Sequence, residues 1–132
     1  MVLAAYALDP PSTGRLLWRG ARRRCPLCGS GHLFRHWLVM VEDCPRCDLH
    51  FERIEGHWIG AIAMNTVLAL MVLLGVIVGG FAATYHDTPP SGLMVASIAV
   101  AALMPLVFHP VSRTLWTALD LAMRPVRPEE IS

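Results

Sequence analysis

Residues 58–84 read WIGAIAMNTVLALMVLLGVIVGGFAAT, twenty-seven positions without an Asp, Glu, Lys or Arg. At 1.5 Å per residue, about twenty of them cover a hydrocarbon core of roughly 30 Å. The stretch reads as a transmembrane helix, with Trp58 and Tyr85 as interfacial anchors. Asn65 lies about two turns inside it, and an amide in hydrocarbon needs a partner, so Asn65 is expected to face another helix. Gly75, Gly79 and Ala83 recur every four residues, a stripe that permits close helix packing against the same chain or another protein.

Moving toward the C-terminus, residues 85–92 (YHDTPPSG) read as a turn, because Pro89, Pro90 and Gly92 bar helix continuation. Residues 93–109 form a second apolar run, short for a span, with a kink expected at Pro105. Pro110 then introduces residues 111–124. Val111, Leu115, Ala118, Leu119 and Ala122 fall on one helical face there, and Arg113, Thr117, Asp120 and Arg124 on another. This pattern suits an amphipathic helix lying on the membrane, or a continuation of the second span out of the bilayer. Pro125 and Pro128 end it before a short acidic tail.

In the other direction lies the collar FERIEGHW, residues 51–58. Glu52, Arg53, Glu55, His57 and Trp58 sit where water would meet lipid. They are either solvated charges or a patch on which a membrane partner docks. No nucleophile, oxyanion pocket or phosphate loop accompanies Glu55 and His57, so no catalytic residue is assigned and an enzyme is not expected.

Before the collar stand Cys25-Pro-Leu-Cys28 and Cys44-Pro-Arg-Cys47, fifteen residues apart. Paired Cys-x-x-Cys motifs at this spacing suit a four-thiolate zinc site. A closed cage leaves no open position for substrate, so one structural Zn2+ is expected on Cys25, Cys28, Cys44 and Cys47. A rubredoxin-like iron or a redox dithiol are the other uses of four such sulfurs. None of the six His is needed as a ligand. Gly29 follows the first pair and permits positive φ; Asp48 stands in its place after the second. Residues 33–34, 37–41 and 49–54 read as short strands. About thirty residues cannot bury enough core alone, and a structural zinc supplies roughly 10–16 kcal/mol of folding free energy.

Residues 1–24 read as a flexible basic segment. Five Arg in GRLLWRGARRR (14–24) form either a solvated linker or an interfacial stretch that places Arg on anionic lipid. Residues 1–8 lack a basic start, and no secretory signal is read there.

Charge divides the chain. Residues 1–55 carry eight Arg and six acids; residues 56–112 carry Asp87 alone. A soluble globule needs charge all round, so this distribution argues strongly against that class. The formal net charge of +1 gives no reason to expect nucleic acid. Eight Arg precede the first span and three follow the second, which places both termini and the ribbon in the cytoplasm of a bacterial inner membrane. Thiols stay reduced there.

RCPLCGSGHLF (24–34), CPRCDLHFERIEGHWIGA (44–61), two spans and HPVSRTLWTALDLAMRP (109–125) together resemble the small bacterial membrane proteins grouped as domain of unknown function 983, in their actinobacterial form. The resemblance covers about residues 20–125. It implies a zinc ribbon fused to a membrane hairpin and no particular activity. Some relatives resemble proteins encoded near cytochrome oxidase genes, which hints at respiratory-complex assembly.

The expected architecture is therefore a membrane protein in four parts. A zinc ribbon of short β hairpins (25–54) is followed by a transmembrane hairpin (58–84 and 93–109) and an amphipathic helix (111–124). The expected role is a non-enzymatic docking, scaffolding or assembly factor for a membrane protein complex, in contact with the bilayer, with no small-molecule substrate identified. The other readings are a metallochaperone or thiol redox carrier, and a resident accessory subunit.

Overall fold

In chain order the elements are α1 (Thr13–Ala21), β1 (Phe34–His36), β2 (Val39–Met40), α2 (His57–Ala83) and α3 (Pro90–Met123). The computed structural model describes residues 5–6, 8–85 and 90–127. The expected turn at His86, Asp87 and Pro89 lies outside the described residues, as do Pro128 and the tail acids Glu129 and Glu130.

α2 and α3 are both long and apolar enough to cross a membrane. In the most apolar window of α2 only 6% of residues are buried, and in that of α3 none are. The central helix of a soluble protein would be hidden on all sides. The two helices pack as an antiparallel pair. A Cβ at Gly60 would lie 2.0 Å from the ring of Trp116, and one at Gly80 would lie 2.3 Å from Leu93 Cδ1. Between them, Asn65 Nδ2 donates to the Pro105 carbonyl at 3.0 Å. Asn65 thus faces the other helix, as its amide requires. The Gly75–Gly79–Ala83 stripe does not: a Cβ at Gly75 or Gly79 would meet nothing within 4 Å, and Ala83 is exposed. The small residues used for close approach are Gly60 and Gly80, in a different register.

α3 is one helix running through both Pro105 and Pro110. Of the two readings of residues 111–124, the structure forms the continuation of the second apolar run and not a separate surface helix. Pro110 has no N–H, so the Leu106 carbonyl one turn back loses its helical donor. The indole N–H of Trp37 fills that place at 2.8 Å. Trp37 and Leu38 form the turn of the β1–β2 hairpin. The hairpin tip is thereby fixed to the helix at its proline, and His109 Nε2 lies 3.3 Å from the Leu38 carbonyl beside it.

Beyond Pro110 four polar side chains of α3 point into the protein beside apolar ones. Ser112, Thr114, Thr117 and Asp120 are all buried. This half is wrapped by α1, the ribbon and the start of α2. A membrane-surface helix would present such polar groups to water, and here they are buried inside. Ala118 and Leu121 join Leu16 of α1 and the ribbon's Leu27, Leu33, Leu49 and Phe51 in one core.

α1 replaces the flexible segment expected over residues 13–21. Its Gly20 lies against α3: an added Cβ would come within 2.8 Å of Ala118 Cβ and 2.9 Å of the Thr114 carbonyl. The Thr114 hydroxyl lies 2.7 Å from the Gly20 carbonyl, placed to donate to it. Leu16 completes the buried face. The strand expected over residues 49–54 is not formed. That segment makes a single antiparallel bridge, Asp43 with His50, and is otherwise irregular.

Candidate metal centre

Two knuckles of the same construction supply the four sulfurs. In the first, Gly29 N–H donates to the Cys25 carbonyl at 2.8 Å, and Cys25 N–H donates to the Ser30 carbonyl at 2.9 Å. In the second, Asp48 N–H donates to the Cys44 carbonyl at 2.9 Å, and Cys44 N–H to the Leu49 carbonyl at 3.0 Å. Each turn requires a left-handed residue after its second Cys. Gly29 has φ 75° and Asp48 has φ 56°. Asp48 therefore adopts the conformation that Gly supplies more cheaply, and the second knuckle matches the first despite the substitution.

The sulfurs converge. Cys25 Sγ and Cys47 Sγ are 3.6 Å apart, as are Cys28 Sγ and Cys44 Sγ. All four lie within 4.8 Å of one another. A disulfide would need about 2.05 Å. Four sulfurs arranged tetrahedrally at about 2.3 Å from a central ion stand roughly 3.8 Å apart. The observed spacing fits that cage, and the four cysteines could hold a metal ion. Cys25, Cys44 and Cys47 are buried and Cys28 half-buried. The Ser30 N–H points at Cys28 Sγ from 3.4 Å, a backbone donor aimed at a ligand sulfur.

Without an ion the cage must share protons. The hydrogen bond between Cys25 and Cys47 holds the Cys47 thiol down at about 6. Burial pushes Cys44 up to about 11. Cys25 is pushed far above the ordinary thiol range by that bond and by burial. A closed, mostly buried set of four thiols cannot carry four negative charges unaided, and a cation at its centre resolves this.

The cage is braced from α1. Arg19 Nη1 donates to the Leu27 carbonyl at 2.5 Å and lies 3.3 Å from that of Pro26, inside the first knuckle. Gly29 is also where Arg19 crosses: a Cβ there would stand 3.3 Å from Arg19 Nε. The second knuckle carries an Asp43–His50 contact of 2.7 Å on its exposed side.

The collar residues divide. Arg53 turns inward, 3.3 Å from Asp120, with the two side chains only 7% and 6% exposed. Arg53 also donates to the Arg124 carbonyl at 2.9 Å. Glu52 accepts from Arg113 at 3.1 Å. His57 Nε2 lies 3.5 Å from the Thr117 hydroxyl, and its ring is tilted against that of Trp116. Glu52 and Arg53 tie the ribbon to α3 and His57 ties the start of α2 to it, although the Glu52 side chain is still largely exposed. Glu55 and Trp58 stay on the surface.

Arg19, Gly20, Thr114 and Asp120 were not among the expected site residues, yet they hold the cage in place. One signal was available. Pro110 in a helical pattern leaves a carbonyl to be satisfied from outside, which asks for a packed neighbour.

No curated protein and no solved structure matches the chain. A family model described as "Protein of unknown function (DUF983)" matches residues 34–120. The match takes in the second knuckle, the collar, α2 and nearly all of α3, while Cys25 and Cys28 lie before it. The ribbon tip and the two long helices that organise this structure thus fall within the matched region, and the chain belongs to the DUF983 family.

Proposed function

We propose that the four sulfurs hold one structural Zn2+, that α2 and α3 cross a bilayer as a hairpin, and that the ribbon is a rigid knob on which a membrane protein partner docks during assembly of a larger complex. The observation that carries this reading is the shared core. Cys25, Cys44 and Cys47 lie in one buried cluster with Leu16 of α1 and with Ala118 and Leu121 of α3. A knob built this way cannot swing on a linker, so its position is fixed relative to the helices. Zinc suits an all-thiolate cage, and it contributes folding free energy there and no open coordination position. Burial of three of the four sulfurs supports a held ion over an exchanged one, which favours this reading over a metal or thiol carrier.

The distribution of Arg, eight before α2 and three after Pro110, supports a ribbon on the cytoplasmic side of a bacterial plasma membrane. Glu55 and Trp58, with the exposed side of Glu52, are the collar surface offered to a partner, and no chemical step is assigned to them.

The test is a photo-crosslinking amino acid at position 55 of the full chain in native membranes. One recurrent membrane-protein adduct is expected, lost together with protein abundance in Cys25→Ser. A Cys25→Ser chain of unchanged abundance giving the same adduct would contradict the role of the cage. A C-terminal reporter active only outside the cytoplasm would contradict the orientation.

A further inference from the structure

A cleft of about 420 Å³ opens between the end of α1, strand β1 and Pro110 of α3. Its walls carry Arg22, Arg23, Arg24 and Arg35, with His32 and His36 beside them. Among the described residues no Asp or Glu lines it. The Arg22 guanidinium stacks on Trp18, and the other cations gathered at one opening favour an anion there.

The backbone is bent to build this wall. Arg23 has φ 58° and His32 φ 60°, a region that non-glycine residues enter rarely. Arg23 N–H donates to the Gly20 carbonyl and Arg24 N–H to that of Arg19, both at 3.0 Å. This is the helix end in which glycine usually takes the left-handed place. An arginine there lays its guanidinium over the Trp37 ring, 5.2 Å from the centroid. Strain of this kind is tolerated where a side chain must be aimed.

Depth selects the anion. Trp37 in the wall is bonded to the Leu106 carbonyl. Leu103, Leu106 and Val107 are exposed apolar side chains within about 10 Å of Pro110 along the helix axis. An occupant would meet cations at one end and apolar helix surface at the other. We propose that this cleft binds the phosphate of an anionic phospholipid headgroup, with the acyl chains lying along α3. A nucleic acid offers phosphate but nothing for the apolar side. The proposal rests on α2 and α3 being spans.

The experiment uses the full chain in neutral detergent, with lipid adducts read by native mass spectrometry. Phosphatidylglycerol and phosphatidylcholine are supplied at equal concentration, then challenged with inorganic phosphate or a single-stranded RNA oligomer. Wild type should prefer phosphatidylglycerol. Arg23→Gly suits its backbone position and Arg35→Gln is on an exposed strand residue, so the double variant keeps its fold. It should lose about 25-fold of the preference, near fivefold per arginine. Arg15→Gln, on the exposed face of α1 outside the cleft, should change nothing. Equal binding of the two lipids would overturn the proposal, as would a preference that survives the double variant. Displacement of the lipid by millimolar phosphate, or tight RNA binding that Arg23→Gly/Arg35→Gln abolishes, would assign the cleft to another ligand. A chain that leaves membranes without detergent refutes the spans; one that needs detergent yet shows no preference refutes the cleft alone.

Discussion

Before Pro110, α3 turns Met94, Val95, Ile98, Leu103 and Leu106 outward, each more than half exposed. After Pro110, the same helix hides Ser112, Thr114, Thr117 and Asp120, each at most 4% exposed. The first half is apolar on the outside, and the second is polar on the inside. Neither half follows the rule for a helix in water. The contrast teaches that amphipathicity reports two surroundings and does not say which is solvent. The first half has apolar surface because none of the described residues covers it. The second half can bury polar groups because each has a partner: Gly20 for Thr114, Arg113 for Thr117, Arg53 for Asp120. The junction is sealed by the Trp37 indole at the carbonyl that Pro110 leaves without a donor.

The contrast should break most completely when the cage is emptied. With zinc as the ion, chelation under reducing conditions removes roughly 10–16 kcal/mol of apparent binding free energy. Hydrogen exchange should then speed up across residues 112–121 and in the ribbon, while residues 93–104 in detergent stay protected. Uniform exchange in both halves would show that the ribbon does not hold the second half.

A smaller break is expected at the buried ion pair. Arg53→Met leaves Asp120 charged and uncompensated inside the protein, at a cost of about 3–5 kcal/mol. Adding Asp120→Leu should recover most of that in a denaturation series. A single variant as stable as wild type would place the pair in water.

The glycines sharpen the comparison. Gly20→Ala puts a methyl 2.8 Å from Ala118 Cβ, and overpacking of this kind costs about 1–3 kcal/mol. Gly79→Ala meets nothing within 4 Å and should be neutral or up to about 1 kcal/mol more stable. Equal thermal shifts for the two would contradict the packing described. The smallest effect belongs to Asp48→Gly. It relieves a left-handed non-glycine at φ 56° and should stabilise the second knuckle by about 0.5–1 kcal/mol, read as a higher melting temperature.

What could be read from the chain was what depends on local pattern. The uncharged run of 58–84 needs only a length, and the two Cys-x-x-Cys pairs need only their spacing; both features are present as expected. Asn65 was legible too, since an amide among apolar residues must find a partner. The sense of residues 111–124 was not legible. The same periodicity serves a membrane surface or a protein interior, and the deciding partners, Arg53 and Gly20, lie far away in the chain. The Gly75–Gly79–Ala83 stripe does not pack within this chain, for a related reason. Small residues permit close packing, but the register of α2 on α3 is set by where Trp116 and Leu93 fall, opposite Gly60 and Gly80. In α1, nine residues rich in Arg looked like a solvated linker because its buried face consists of little more than Leu16 and Gly20.

The most direct test of the account is the zinc-to-chain ratio of full-length protein, purified in mild detergent without chelator, with the reactive thiols counted on the same sample. The account predicts one zinc per chain, with Cys25, Cys28, Cys44 and Cys47 unreactive until the metal is stripped and all four reactive afterwards. A chain with no bound metal, or with its sulfurs joined in pairs as disulfides, would contradict it.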